Sequence, residues 1–282
     1  MVDDCSIDKT VEIVRSYPDP RVRCIVLEKN LGAQAARNRG IREAQGRWIA
    51  FQDSDDEWLP EKLETQIVAL TKVNFNPMTV IHADCYRYDH QTDNKTLWEL
   101  PLIHGSSVFS LLLKSAGPMF QSILTSKAAI EKMKFLDESV PSFQEWETSI
   151  RLARECGFIH IRKPLFIYHL HNGETISKNK KREIRGYQYI IDKFRKDILQ
   201  QCGPIVLNSH LTSNALKALR WGYYTEAHEI LTNSIGESVY IKYLKWIARK
   251  EDSFWFHGKL IKFVQLIDKI SICIVMCLAN PH

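Results

Sequence analysis

The chain has 282 residues, of which 45% are hydrophobic, 10% aromatic and 25% charged. That composition supports a sizeable core and excludes a disordered tail, a collagen-like repeat and a disulfide-stapled miniprotein. Lys+Arg of 38 against Asp+Glu of 33 leaves +5, a dispersed excess that suits anionic ligands or an anionic membrane surface and is too weak to argue for nucleic acid.

Seven cysteines without any C-x-x-C pair read as free thiols in a reducing compartment rather than a disulfide framework or a zinc site. The N-terminus, MVDDCSIDK, has no basic segment followed by an apolar run, so no signal peptide is expected. The expectation is a cytoplasmic protein, with peripheral attachment at the inner face of a membrane as the one elaboration.

In chain order, a short helix is expected from Thr10 to Ser16, then a strand over Val22–Leu27 (VRCIVL). Asn30-Leu31-Gly32 punctuates the chain before an Ala/Arg-rich helix, Ala33 to Gln45, closed by Gly46. Trp48 to Phe51 is a second, buried strand that runs into Asp53-Ser54-Asp55-Asp56. Pro60 marks the first turn of a helix to about Lys72, Met78 to Ala83 is a third strand, and Tyr86 to Leu100 alternates like a hairpin. Strands alternating with helices predict an α/β sheet with much parallel character. From Val108 to Leu170 the pattern reads helix, strand, helix, then two short strands around Pro164. Beyond Lys178 the strand signal vanishes. Lys178 to Arg185 is a basic linker or a solvated helix start, and Ser213–Ala227 and Ser238–Lys250 are helical. The first of these faintly resembles one tetratricopeptide-like unit, without a second copy at a fixed period. Residues 260 to 279 are apolar but broken by Lys262, Asp268 and Lys269. The uninterrupted part is shorter than the ~20 residues a bilayer crossing needs, leaving a docked amphipathic helix or a membrane-surface anchor.

Acidic groups carry the chemistry. In an open α/β sheet, ligands bind beyond the carboxyl ends of the strands, where Asp53, Asp55 and Asp56 stand. Hard carboxylate oxygens there suit Mg²⁺ or Mn²⁺ and, through it, a diphosphate. Asp56 alone reads as a cap for a helix near Glu57. Three acids at one strand exit repel one another without a cation. Asp3-Asp4 with Ser6 and Asp8 reads in isolation as helix capping, and Arg37 as either a phosphate or ribose contact or a surface charge. His169 and His171 share a strand face as a metal pair or as packed side chains. Trp58 and Trp146 offer sugar stacking or core packing, and Cys273 and Cys277 packing or lipidation.

Taken together, VDDCSIDKTVEIVRSY, LEKNLGAQAARNRGI and WIAFQDSDDEWLPEKLE resemble the nucleotide-binding half of a family 2 glycosyltransferase. There the corresponding segments read VDDGS-x-D, an N-x-G-x-x-x-A-R-N-x-G helix, and a D-x-D loop followed by W-x-P-x-K-L-E. Phe135-Leu136-Asp137-Glu138, Gln144-Glu145-Trp146-Glu147 before Ile150-Arg151-Leu152-Ala153, and Tyr168-His169-Leu170-His171 echo later family segments. The resemblance covers residues 2 to about 177. It begins at the exit of the family's second strand. The strand and helix that usually precede it are not among these residues, and a sheet without an inner strand is expected to leave unpaired edges.

The resemblance implies an inverting GT-A-type enzyme with a Rossmann-like, mixed, mostly parallel sheet flanked by helices over 1–177, and an all-helical C-terminal region over 178–282. It implies that Asp4, with Asp3 nearby, bonds the base of a nucleotide sugar, that Arg37 contacts the nucleotide and that Asp53 binds the ribose. Asp55 and His171 would hold Mn²⁺ or Mg²⁺. Glu145 would be the general base, with Glu147 as its competitor. Cys5 stands where the family has Gly, crowding a turn that Gly would relax. The implied reaction moves a sugar, UDP-linked more readily than not, onto a glycan or lipid-linked acceptor in cell-envelope polysaccharide synthesis. Two alternatives stand beside it: a truncated, non-catalytic binding remnant, and a nucleotidyltransferase-like enzyme.

Overall fold

The computed structural model describes residues 1–170, 179–236 and 238–249. The chain divides into two compact units, one within 1–175 and one within 176–282.

In the first unit β1 (Val2–Asp3) leads to α1 (Thr10–Ser16), β2 (Ile25–Val26) and α2 (Ala33–Glu43), then β3 (Trp48–Ala50) and β4 (Glu57–Trp58). They are followed by α3 (Lys62–Thr71), β5 (Thr79–Asp89), β6 (Asn94–Trp98), α4 (Phe109–Leu112), β7 (Leu124–Ser126), α5 (Lys127–Lys132), α6 (Gln144–Leu152) and β8 (Gly157–Leu170). β1 and β2 pair in parallel as a two-stranded sheet. The other strands form a six-stranded sheet in the order β3-β7-β5-β8-β4, with β6 paired to β5. The six-stranded sheet is mixed rather than mostly parallel: β5–β8 is its parallel pairing and its other pairings are antiparallel. Among the described residues no ladder joins β1 to β3. α1 buries none of its side chains, and Ile13 and Tyr17 on it are exposed.

β8 is one strand of 14 residues rather than two. Its register with β5 passes from Ala83↔Ile161 to Asp84↔Pro164, so the proline, which has no N–H to donate, is absorbed in a bulge and the pairing resumes beyond it. β4 replaces the helix start expected after Asp56. Glu57 and Trp58 pair with Ile167 and Phe166 of β8, and α3 begins only at Lys62. On one side of the sheet Leu70 of α3, Ile81 and Leu124 form a buried cluster against Trp48, Ile159 and Ile161. On the other, His82 and His160 stack at 4.2 Å, and His160 Nε2 lies 2.8 Å from Asp84 Oδ1. Burial lowers the His82 imidazole to about 4, with Ile103 O opposing and His160 adding to the shift.

The second unit is helical: α7 (Lys180–Lys193), α8 (Arg195–Cys202), α9 (Pro204–Arg220), α10 (Tyr224–Thr232) and α11 (Val239–Arg249). The basic run starting at Lys178 proves to be a helix start, where the Asn179 side chain accepts from Arg182 N at 3.0 Å. α9 is its centre, packing on α7, α8 and α10 through buried Leu207, Leu211, Ala215 and Ala218. The apolar stretch 260–279, with Cys273 and Cys277, lies outside the described residues. Among those described, no helix is long and apolar enough to cross a membrane.

Candidate active site

The acidic loop leaves β3 as expected. Asp53 is held from two sides: Arg37 Nη2 on α2 donates to its Oδ1 at 2.6 Å, and Gln121 Nε2 donates to its Oδ2 at 2.9 Å. Gln121, in the short turn before β7, also bonds Asp56. Asp56 is not a helix cap. It accepts His169 N of β8 at 3.0 Å, because the chain it precedes is a strand and its own turn lies against the end of β8. Burial first, then the charges of Asp55 and Asp53, raise its carboxyl to about 6 against the bonds from His169 and Gln121. Asp55, in the turn between them, is exposed.

Arg37 joins this loop to α6. Its guanidinium lies 4.4 Å from the Phe120 ring centre, and Nη1 donates to Gln34 and Gln144 Oε1, each at 3.2 Å. The adjacent Glu145 has its carboxyl raised, chiefly by burial and also by Asp53, while its helix-start amide and Arg37 oppose the shift. Phe143, the residue before α6, has φ 58°, a left-handed conformation costly for an aromatic side chain. Glu147, two residues on, does not share the cleft. It is fully buried, with Arg151 Nε donating to its Oε1 at 2.6 Å and Nη2 to its Oε2 at 3.1 Å. Arg151 in turn donates to the carbonyls of Met133 and Phe135. Glu147 therefore belongs to the scaffold, since a base must reach the proton it takes.

The first acidic group is also largely scaffolding. Asp3 is buried and accepts Ser6 N at 2.9 Å. Asp4 accepts Leu31 N and Gly32 N, one on each oxygen, both at 2.7 Å, and so fixes the loop that starts α2. Each oxygen of Asp4 keeps a lone pair for a further donor. Cys5 has φ 68°, the conformation the family's Gly would adopt freely. Asn38 of the A-R-N segment is a clamp: it donates to Leu136 O at 2.9 Å and Glu138 Oε1 at 2.7 Å, and accepts Leu136 N.

The remaining candidates separate by burial. Trp146 is core, its indole N–H donating to Leu112 O at 2.7 Å, and Trp58 is covered by Lys62, whose Nζ sits 4.2 Å from the ring centre. The His169 ring is engaged by His90, Nδ1 to Nε2 at 2.9 Å, and faces Glu57 at 3.7 Å. His171 lies outside the described residues. Sequence reasoning missed Gln121 and gave no role to Tyr168. The phenol of Tyr168 is raised by burial and by the charges of Asp56, Asp55 and Glu145, so it stands among the site carboxylates.

Among the described residues no three His, Cys, Asp or Glu side chains gather into a metal cage. The donor set nevertheless fits Mg²⁺ or Mn²⁺ shared with a diphosphate, which such ions bind through one or two carboxylates plus substrate phosphates. Exposed Asp55 would supply the carboxylate, beside Asp56, whose carboxyl is raised chiefly by burial and further by Asp55 and Asp53.

Residues 1–133 match the family described as Glycosyl transferase family 2. A stretch of 67 residues is 54% identical to the succinoglycan biosynthesis protein ExoO of Rhizobium meliloti (strain 1021), covering 24% of this chain and 19% of that protein. Over 196 residues the chain is 28% identical to the UDP-Glc:alpha-D-GlcNAc-diphosphoundecaprenol beta-1,3-glucosyltransferase WfgD of Escherichia coli, covering 68% of this chain and 72% of the relative. The fold is similar to that of S. aureus TarS 1-349 in complex with UDP-GlcNAc, with a TM-score of 0.61 at 15% identity, covering 89% of this chain and 78% of that one. Residues 1–133 thus match glycosyltransferase family 2, and over 89% of the chain the fold is like that of TarS.

Proposed function

We propose that the chain transfers a sugar from a nucleoside diphosphate, UDP in the first instance, to a glycan or lipid-linked acceptor with inversion at the anomeric carbon. The observation that carries this reading is the Arg37 bridge, which ties Asp53 of the acidic loop to Gln144 beside Glu145. It sets a diphosphate-facing loop and a carboxylate of raised basicity on two sides of one cleft. The name of WfgD and the ligand of TarS support the choice of UDP, and the former supports a lipid-linked acceptor in envelope polysaccharide synthesis.

Asp55, with His171 as the further ligand implied by the resemblance, would hold Mn²⁺ or Mg²⁺, which when bound offsets charge on the departing diphosphate. Asp53 faces the ribose with its carboxylate oriented by Arg37 and Gln121, and Asp4 and Asp3 border the base. Glu145 accepts the proton of the acceptor hydroxyl as its oxygen bonds the anomeric carbon and the bond to the diphosphate breaks. A carboxylate raised above its usual range by burial suits that task, because the proton-transfer driving force grows with basicity. Peripheral contact with the inner membrane face would bring the site to a lipid-linked acceptor.

The test is UDP release from UDP-glucose or UDP-GlcNAc supplied with a GlcNAc-diphosphate lipid and Mn²⁺. The reading predicts acceptor-dependent release and an elongated lipid product. Absence of product from every UDP-sugar and acceptor pair would leave a binding remnant.

A further inference from the structure

Beside the carboxylates, β5, β6 and β8 present an aromatic surface that the reading above does not use. Arg87 of β5 pairs across to Thr96 of β6 and Tyr168 of β8, and Cys85 pairs with Trp98. Alternation along β5 therefore places Trp98, Arg87 and Tyr168 on one face of the sheet. The Trp98 and Tyr168 rings are 6.0 Å apart between centres and tilted by 56°, and the Arg87 guanidinium lies 5.8 Å from the Trp98 ring centre. β6 is exposed along its whole length, and Trp98 keeps 38% of its surface in solvent. A large indole on an exposed strand is a liability for solubility and pairing unless it meets a ligand. The next residue along β8, His169, donates its N–H to Asp56, so the surface runs directly into the acidic loop.

We propose that Trp98, with Tyr168 and Arg87, is the platform for the acceptor sugar: a pyranose ring stacks its C–H face on the exposed indole, and its hydroxyls meet the phenol and the guanidinium. An apolar face flanked by a few fixed polar groups is the form small-molecule sites take, and a planar guanidinium offers several donors in fixed geometry to a polyol. The two tryptophans that the sequence offered for stacking are unavailable, Trp146 in the core and Trp58 under Lys62. That the ring bound there is an acceptor rests on the glycosyltransferase reading. The stacking itself does not.

The experiment is saturation-transfer NMR of the full chain with methyl α-glycosides of glucose and N-acetylglucosamine, read beside a titration of UDP with Mn²⁺. The expected result is saturation of the ring protons of at least one glycoside in wild type, weakened about 10-fold in Trp98→Ala and retained in Trp98→Phe, with UDP affinity unchanged in both. Wild-type signal persisting in Trp98→Ala, or no signal from wild type with either glycoside, overturns the platform. Failure of UDP to bind wild type strikes the donor reading instead, and the glycoside signals still decide the platform.

Discussion

Two acidic groups that look alike in the sequence are put to different work. Asp3 and Asp4 stand at the end of β1, and both find backbone amides, those of Ser6, Leu31 and Gly32. Asp53, Asp55 and Asp56 stand beyond β3, where Arg37, Gln121 and one amide serve the first and last while Asp55 faces solvent. The same contrast recurs within α6, where Glu145 feels Arg37 and Asp53 of the acidic loop and Glu147 is locked to Arg151. A carboxylate satisfied by local donors builds the loop that carries it. One held by side chains on a solvent-facing loop can meet a substrate or cation.

The sharpest way to break this comparison is to exchange the roles within α6. Glu145→Gln is expected to lower turnover by about 10³-fold while UDP binding with Mn²⁺ is unchanged; comparable turnover would move the base elsewhere. Glu147→Gln is expected to act on stability, costing about 3–5 kcal/mol because Arg151 is left buried without its partner. Thermal melting would report it, and replacing both residues by apolar ones should recover most of the loss. If Glu147→Gln melts like wild type, the scaffold role is wrong.

The acid side of the stability profile sharpens the contrast between the sheet's two faces. His82 titrates at about 4 folded against 6.5 unfolded, so between these values the unfolded chain binds more protons. Stability should therefore rise with pH through that window, by at most about 3 kcal/mol. His82→Phe should flatten the rise in melting temperature; an unchanged slope would place the acid sensitivity elsewhere. Asp4→Ala should cost about 1–3 kcal/mol by removing the acceptor of two loop amides and, since Asp4 borders the base, weaken UDP binding while leaving its Mn²⁺ dependence intact; unchanged UDP affinity would leave Asp4 a scaffold role alone. Smallest of all, Cys5→Gly should stabilise by about 1 kcal/mol, relieving a left-handed residue, with a decreased melting temperature as the contrary result.

Much of this was legible before the structure. α1 spans the Thr10–Ser16 expected of it, and the strand over 48–51 running into the acids placed the loop correctly, because both signals are local. What failed depends on pairing. β4 has two residues and exists only by pairing with β8, so Asp56 looked like a helix cap. Pro164 looked like a break because a bulge that accommodates it is visible only against β5. The Glu147–Arg151 pair was readable from its i, i+4 spacing, and it separates two glutamates that otherwise compete for one role. Gln121 and Trp98 left no signal, and Tyr168 only its place in a family-like segment, since they meet the site across three strands and a turn far apart in the chain.

The central claim is that the loop of Asp53, Asp55 and Asp56 takes a nucleoside diphosphate with a divalent cation. Calorimetric titration of UDP into the chain, with and without Mn²⁺, beside Asp55→Ala, tests it most directly. The account predicts binding that requires Mn²⁺ and vanishes in Asp55→Ala while the fold, read by melting, persists. UDP binding indifferent to both the metal and the substitution would contradict it.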